Sequence, residues 1–132
     1  MVSLFTRIVQ GEIPCYKVAE TESCLAFLDI NPLKKGHTLC IPKVEVDYIF
    51  DLDPDQYTDL MLFTKRVAKA IDQVITSERV GVAIIGFEVP HAHVHLVPLD
   101  GIRDIDFSLP RLKFTTVEFL EIAHQISAHF KS

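Results

Sequence analysis

The 132-residue sequence predicts one α+β domain: an antiparallel sheet of about five strands packed by one long helix, with a short helix near the N-terminus and another at the C-terminus. Three observations carry this expectation. Between Asp53 and Thr76, apolar residues recur at helical spacing. Elsewhere, short β-branched or alternating runs are separated by Pro and Gly. Finally, 48% hydrophobic against 23% charged residues is the balance of a chain that buries a core.

The elements follow in order. Leu4, Phe5, Ile8 and Val9 fit a helical turn or two over Leu4 to Val9. Lys17 to Glu20 and Cys24 to Asp29 read as strands. Ile30 to Gly36, punctuated by Pro32 and Gly36, turns the chain into a further strand, Thr38 to Pro42. In the long helix Asp53 is a natural N-cap, Pro54 suits the first turn, and Gln56 completes a capping box; Tyr57, Leu60, Met61, Thr64, Val67, Ala68, Ile71, Val74 and Ile75 recur at helical spacing, giving one face that should cover a sheet. Val80 to Ile85 and Ala92 to Val97 are expected strands joined by a tight connection. Thr115 and Glu118 make a second capping box, opening a helix over about 115–131 with a stripe of Phe119, Ile122, Ala123, Ile126 and Phe130.

A net charge of -5 argues against a nucleic-acid partner, which requires clustered cations to replace condensed counterions. Three cysteines (Cys15, Cys24, Cys40), without Cys-x-x-Cys spacing, read as reduced thiols. No apolar run approaches the roughly 20 residues of a membrane span, and the start is unlike a secretory signal, so no membrane partner and a cytoplasmic location are expected.

The chemistry concentrates in Pro90-His91-Ala92-His93-Val94-His95-Leu96-Val97-Pro98. Strand alternation would put His91, His93 and His95 on one wall and Ala92, Val94 and Leu96 in the core. Three side chains that titrate near neutrality suit nucleophilic or acid–base work better than packing. A His-x-His pair also fits a metal site, but Asp100, Asp104 and Asp106 lack the spacing to complete one. The other reading is attack on phosphorus by a neutral imidazole, with neighbouring imidazoles orienting it and protonating the leaving group.

His91-Ala92-His93-Val94-His95-Leu96-Val97 resembles the signature of the histidine-triad (HIT) family. Together with Phe5, Ile8, Glu12-Ile13-Pro14, Glu20, Ala26-Phe27-Leu28-Asp29-Ile30-Asn31-Pro32, Gly36-His37 and Ile41-Pro42-Lys43, it is similar to the Hint-like branch over residues 4–99. The resemblance implies a HIT-like fold and a metal-independent, cofactor-free hydrolase or transferase acting at the α-phosphate of purine nucleoside phosphoramidates or related conjugates. It implies His93 as nucleophile, His95 on the phosphate and leaving-group side, and His91 and His37 as orienting imidazoles. Phe5, Ile8, Ile13, Phe27 and Ile30 would form the slot for the base, and Asp29 would accept from the ribose hydroxyls. It also implies a homodimer with the sheets side by side, which protects edge strands.

Two departures bear on this. Phe87 stands where relatives carry a Gln four residues before the first His, and Glu88 beside it either faces the nucleotide, where its charge would disfavour polyphosphates, or points to solvent. Ser3 and Thr6 occupy the positions at which some relatives bind zinc through Cys-x-x-Cys, so no structural zinc is implied. His124 and His129 read as surface residues. Dinucleoside polyphosphate cleavage, or a non-catalytic nucleotide-binding module, are the alternative functions.

Overall fold

The computed structural model describes residues 2–131. In chain order it comprises α1 (Leu4–Val9), β1 (Lys17–Glu20), β2 (Cys24–Leu28), β3 (Thr38–Pro42), α2 (Pro54–Val74), β4 (Arg79–Ala83), β5 (Val94–Leu99) and α3 (Thr116–His129). The strands form an antiparallel sheet of order β1-β2-β3-β5-β4. The expected α+β class, strand number and helix set are all present.

Local chemistry sets the helix starts. The Ser3 side chain accepts from Thr6 N at 3.0 Å. Asp53 and Gln56 form a reciprocal capping box, as do Thr115 and Glu118, and each satisfies donors that a first helical turn leaves unpaired.

Helices α2 and α3 lie on one face of the sheet. Leu60, Phe63, Val67 and Ile71 of α2 and Phe119, Ile122 and Ile126 of α3 share a core with Val18, Cys24, Ala26, Leu28, Cys40, Val94 and Leu96. The C-terminal helix is therefore part of the main core, and Phe119 stacks on Tyr16 at 4.8 Å. The opposite face buries Phe5, Leu25, Phe27, Leu39 and Ile41 under α1. Because strand side chains alternate, β2 and β3 are buried on both faces, which explains their nearly continuous apolar sequences.

The stretch around the histidines differs from expectation. Strand β4 ends at Ala83, β5 begins at Val94, and residues 84–93 form an open loop instead of a tight connection. Gly86 adopts φ +87°, a left-handed conformation that interrupts a ladder. Pro90 has no N–H to donate, and Ala92 N donates out of the sheet to Val46 O at 2.7 Å. Pairing of β5 with β3 starts only at Val94 opposite Cys40. His91 and His93 thus precede the strand, and their placement rests on loop geometry.

All three cysteines are free: Cys24 and Cys40 are buried and Cys15 half-buried. Among the described residues, no helix is long and apolar enough to cross a membrane. His124 and His129 are exposed, as expected.

Candidate active site

On the face opposite α2 and α3, sheet register lines up Phe27 of β2, Leu39 of β3 and His95 of β5 as cross-strand neighbours. This row floors a cleft of about 240 Å³ walled by Phe5 and Ile8 of α1, Ile13 and Cys15 of the following turn, Asp29 and Ile30 after β2, and Glu88, Val89 and His93 before β5. Of the residues expected to act, nine line the cleft: Phe5, Ile8, Ile13, Phe27, Asp29, Ile30, Glu88, His93 and His95. Ile30 stands at the rim, 65% exposed. His91 and His37 sit behind the lining. Glu88 faces the cleft mouth from the open loop, while Phe87, 93% exposed, is turned out into solvent.

His91, His37, His93 and His95 are 0–4% exposed. Burial disfavours the charged form of His37, His91 and His95, and in a neutral imidazole the position of the one proton becomes the central question. Backbone partners answer it, because a carbonyl can only accept and an amide can only donate. His93 Nδ1 lies 2.7 Å from His91 O; Nδ1 must carry the proton, leaving Nε2 with a free lone pair. His91 Nε2 donates to Pro42 O at 2.8 Å, so its Nδ1 accepts from Ser3 Oγ at 2.8 Å. Leu33 N donates to His37 Nδ1 at 3.0 Å, which puts the His37 proton on Nε2. That N–H donates to His95 Nδ1 at 2.9 Å, and the His95 proton therefore sits on Nε2. Together these bonds give one nucleophilic nitrogen, on His93, and one donor N–H, on His95.

Burial, then the neighbouring His95 and Arg111, pushes the His37 ring down to about 3. Burial, then His93 and Arg111, pushes His95 down to about 4. Burial also lowers His91, partly opposed by its bond to Pro42 O. Burial raises the Asp29 carboxyl against the lowering effects of the Asn31 N–H and Arg111. Asp29 Oδ1 accepts from Asn31 N at 2.8 Å and Oδ2 lies 3.6 Å from His37 Nε2, so one carboxylate oxygen shapes the turn and the other faces the imidazoles.

Asp29, His37 and His95 bring ligand-type atoms within 4.8 Å of one another, a spacing that could hold a cation. The Leu33 N–H argues against this use: with His37 Nδ1 committed as acceptor, Nε2 is an N–H and offers a metal no lone pair.

Several site residues escaped the sequence reading. Ser3 and Thr6 lack zinc-ligand chemistry, yet Ser3 Oγ holds His91. Glu45 accepts from Ser3 N at 2.5 Å and from Thr6 Oγ1 at 2.6 Å, which fastens α1 over the site. Phe107 sets its ring edge-on to His95 at 4.7 Å between centroids, and Arg111 lies over Phe107. Only the tertiary contact identifies these residues, although the aromatic and cationic character of a Phe107-to-Arg111 loop was visible.

Comparison with known proteins agrees with this architecture. The HIT domain family model matches residues 10–102. Adenosine 5'-monophosphoramidase hnt1 of Schizosaccharomyces pombe is 39% identical over 133 residues, covering 99% of this chain and 100% of its own. The crystal structure of a Hit-like protein involved in cell-cycle regulation from Bartonella henselae superposes with a TM-score of 0.82 at 27% identity, covering 96% of this chain and 95% of that one. A Zn-bound histidine triad family protein from Mycobacterium smegmatis gives 0.80 at 28%, covering 96% and 91%.

The depressed imidazoles predict a pH dependence of stability. In the unfolded chain these rings take up protons near 6.5, but in the folded protein only near 4 for His95 and 3 for His37. The unfolded state therefore binds more protons between those values. The contribution is fully present above about pH 6.5 and is lost as pH falls through this window. The urea midpoint should fall from about pH 7.5 to about pH 5, less steeply in His37→Gln. A flat midpoint over that range would contradict buried, neutral rings.

Proposed function

The chain belongs to the HIT domain family, and from that premise we propose that it is a nucleotide hydrolase or transferase, attacking the α-phosphate of purine nucleoside phosphoramidates with His93. The observation that carries the reading is the 2.7 Å bond from His93 Nδ1 to the His91 carbonyl, which leaves Nε2 unprotonated in a histidine lining an apolar cleft. A relative of similar length bears the name adenosine 5'-monophosphoramidase, which supports the substrate class.

The chemistry runs as two displacements. Phe5, Ile8, Ile13, Phe27 and Ile30 take the base, and Asp29 Oδ2 accepts from the ribose hydroxyls. His95, its Nδ1 held by His37, presents its Nε2 proton to the leaving-group side. His93 Nε2 forms a bond to phosphorus and the P–N bond of the substrate breaks. Its electron pair goes to the departing amine, which takes the His95 Nε2 proton. Water then attacks phosphorus, the pair of the Nε2–P bond returns to His93, and the proton released returns to His95 Nε2. No step requires a metal or cofactor. Glu88, at the cleft mouth, places a carboxylate where a cationic amine is favoured over extra phosphates.

The reading includes a homodimer. Strand β4 is an edge strand of the sheet, and Val82, Ile84 and Ile85 on and beyond it are exposed, an unpaired apolar edge that a second copy would cover.

Three outcomes are expected. His93→Ala should lower turnover of adenosine phosphoramidate by roughly 10³-fold or more, assayed with a chelator present, while AMP binding measured by calorimetry stays near wild type. A His93→Ala protein as active as wild type rules out the nucleophile. Asp29→Ala should raise KM for ribonucleotide substrates more than for their 2′-deoxy analogues; equal penalties on both sugars remove the ribose assignment. Light scattering should give twice the monomer mass, and a Val82→Glu edge should shift it to monomer. A monomer at all concentrations refutes the dimer.

A further inference from the structure

Arg111 lies in the segment between β5 and α3, beyond residue 102, where the family match ends. Its Nη1 donates to Asn31 O at 2.7 Å and its Nη2 to Phe107 O at 3.3 Å, so one guanidinium ties together two stretches of chain far apart in sequence. Next to it, Leu112 N donates to Pro32 O at 2.8 Å. The guanidinium carbon lies 5.5 Å from the Phe107 ring centre, and that ring packs edge-on to His95 and to His37, at 4.7 and 6.1 Å between centroids.

The segment thus straps down the loop from Asp29 to Leu33. That loop supplies the Asp29 carboxylate and the Leu33 N–H. The Leu33 amide holds His37 Nδ1 as acceptor and so orients the N–H that reaches His95. If the loop drifts, the amide leaves His37, and the ring loses what fixes both its orientation and its tautomer. A planar fork of donors can serve two carbonyls at once while lying flat on an aromatic ring; an ammonium is a compact point charge without that fixed geometry.

We propose that Arg111 is a positioning residue: by clamping Asn31 and Phe107 it holds the Asp29–Leu33 loop, and through the Leu33 amide it keeps His37 and His95 in register for transfer. Its effect on turnover rests on the function proposed above. Its effect on the loop and on the His37 tautomer does not.

The test compares full-length wild type, Arg111→Lys and Arg111→Gln. In wild type, nitrogen-15 spectra of the His37 ring should show Nε2 protonated and Nδ1 bare, and the Leu33 amide should exchange slowly. In both variants the Leu33 amide should exchange at least about tenfold faster, and His37 should lose its single tautomer. On adenosine phosphoramidate, kcat/KM should fall by about 10- to 100-fold in both, with lysine failing to rescue, because misplacement and not loss of charge is the defect. Arg111→Lys indistinguishable from wild type in exchange and tautomer overturns the proposal, as does a wild-type His37 protonated on Nδ1, a measurement needing no variant to fold. If wild type hydrolyses no phosphoramidate, the functional reading fails while the exchange and ring spectra still decide the clamp.

Discussion

Four imidazoles sit almost wholly out of water on one side of the sheet, and three backbone groups decide what they can do: the His91 and Pro42 carbonyls and the Leu33 amide. A carbonyl and an amide are fixed in hydrogen-bonding sense, whereas an imidazole can present either nitrogen as donor. Setting one against the other puts the proton of His93 on Nδ1 and those of His91, His37 and His95 on Nε2. The arrangement demands that the loops bearing those backbone groups stay in place to within hydrogen-bond tolerance. Much of the surrounding packing serves that demand.

The sheet meets part of it by being buried on both faces. Helices α2 and α3 pack against the even-numbered side chains of β2, β3 and β5, from Cys24 and Ala26 to Val94 and Leu96. The odd-numbered side chains, Phe27, Leu39 and His95, are then held as a rigid floor on the other face. The rest is met by fastenings outside the sheet. Ser3, Thr6 and Glu45 pin α1 beside His91, and Arg111 with Leu112 pins the Asp29–Leu33 loop beside His37. Of these the Ser3–His91 bond is buried, where a hydrogen bond is worth more than at the surface, while the Glu45 and Arg111 bonds lie at the exposed rim.

The cleft mixes chemistry that packing alone would not favour. Phe5 belongs to a buried cluster with Phe27, Leu25, Leu39 and Ile41, yet its ring also packs edge-on to His93 at 5.1 Å between centroids. The same apolar side chains that stabilise α1 on the sheet pack against the His93 ring. Holding α1 on the sheet and walling the cleft therefore use one set of residues.

Much of the fold was legible in the sequence because its signals are local. Both capping boxes, the helical stripe of α2 and the bounds of α1, β1 and β3 follow from residues near one another in the chain. The histidine cluster and its link to His37 and Asp29 were likewise visible from spacing and family resemblance. The course of residues 84–93 was not, since Val80 to Ile85 and Ala92 to Val97 have strand-like composition; where pairing starts depends on what β3 offers across the sheet, and its backbone offers His91 no ladder partner. The proton positions, the Glu45 and Ser3 hold on His91, and the Arg111 strap were also beyond reach. Each joins groups tens of residues apart, from Ser3 to His91 and from Asn31 to Arg111. The sequence by itself determined which side chains could do chemistry and which elements would carry them. The tertiary structure decided which nitrogen holds each proton, because that depends on a carbonyl or an amide brought close by long-range packing.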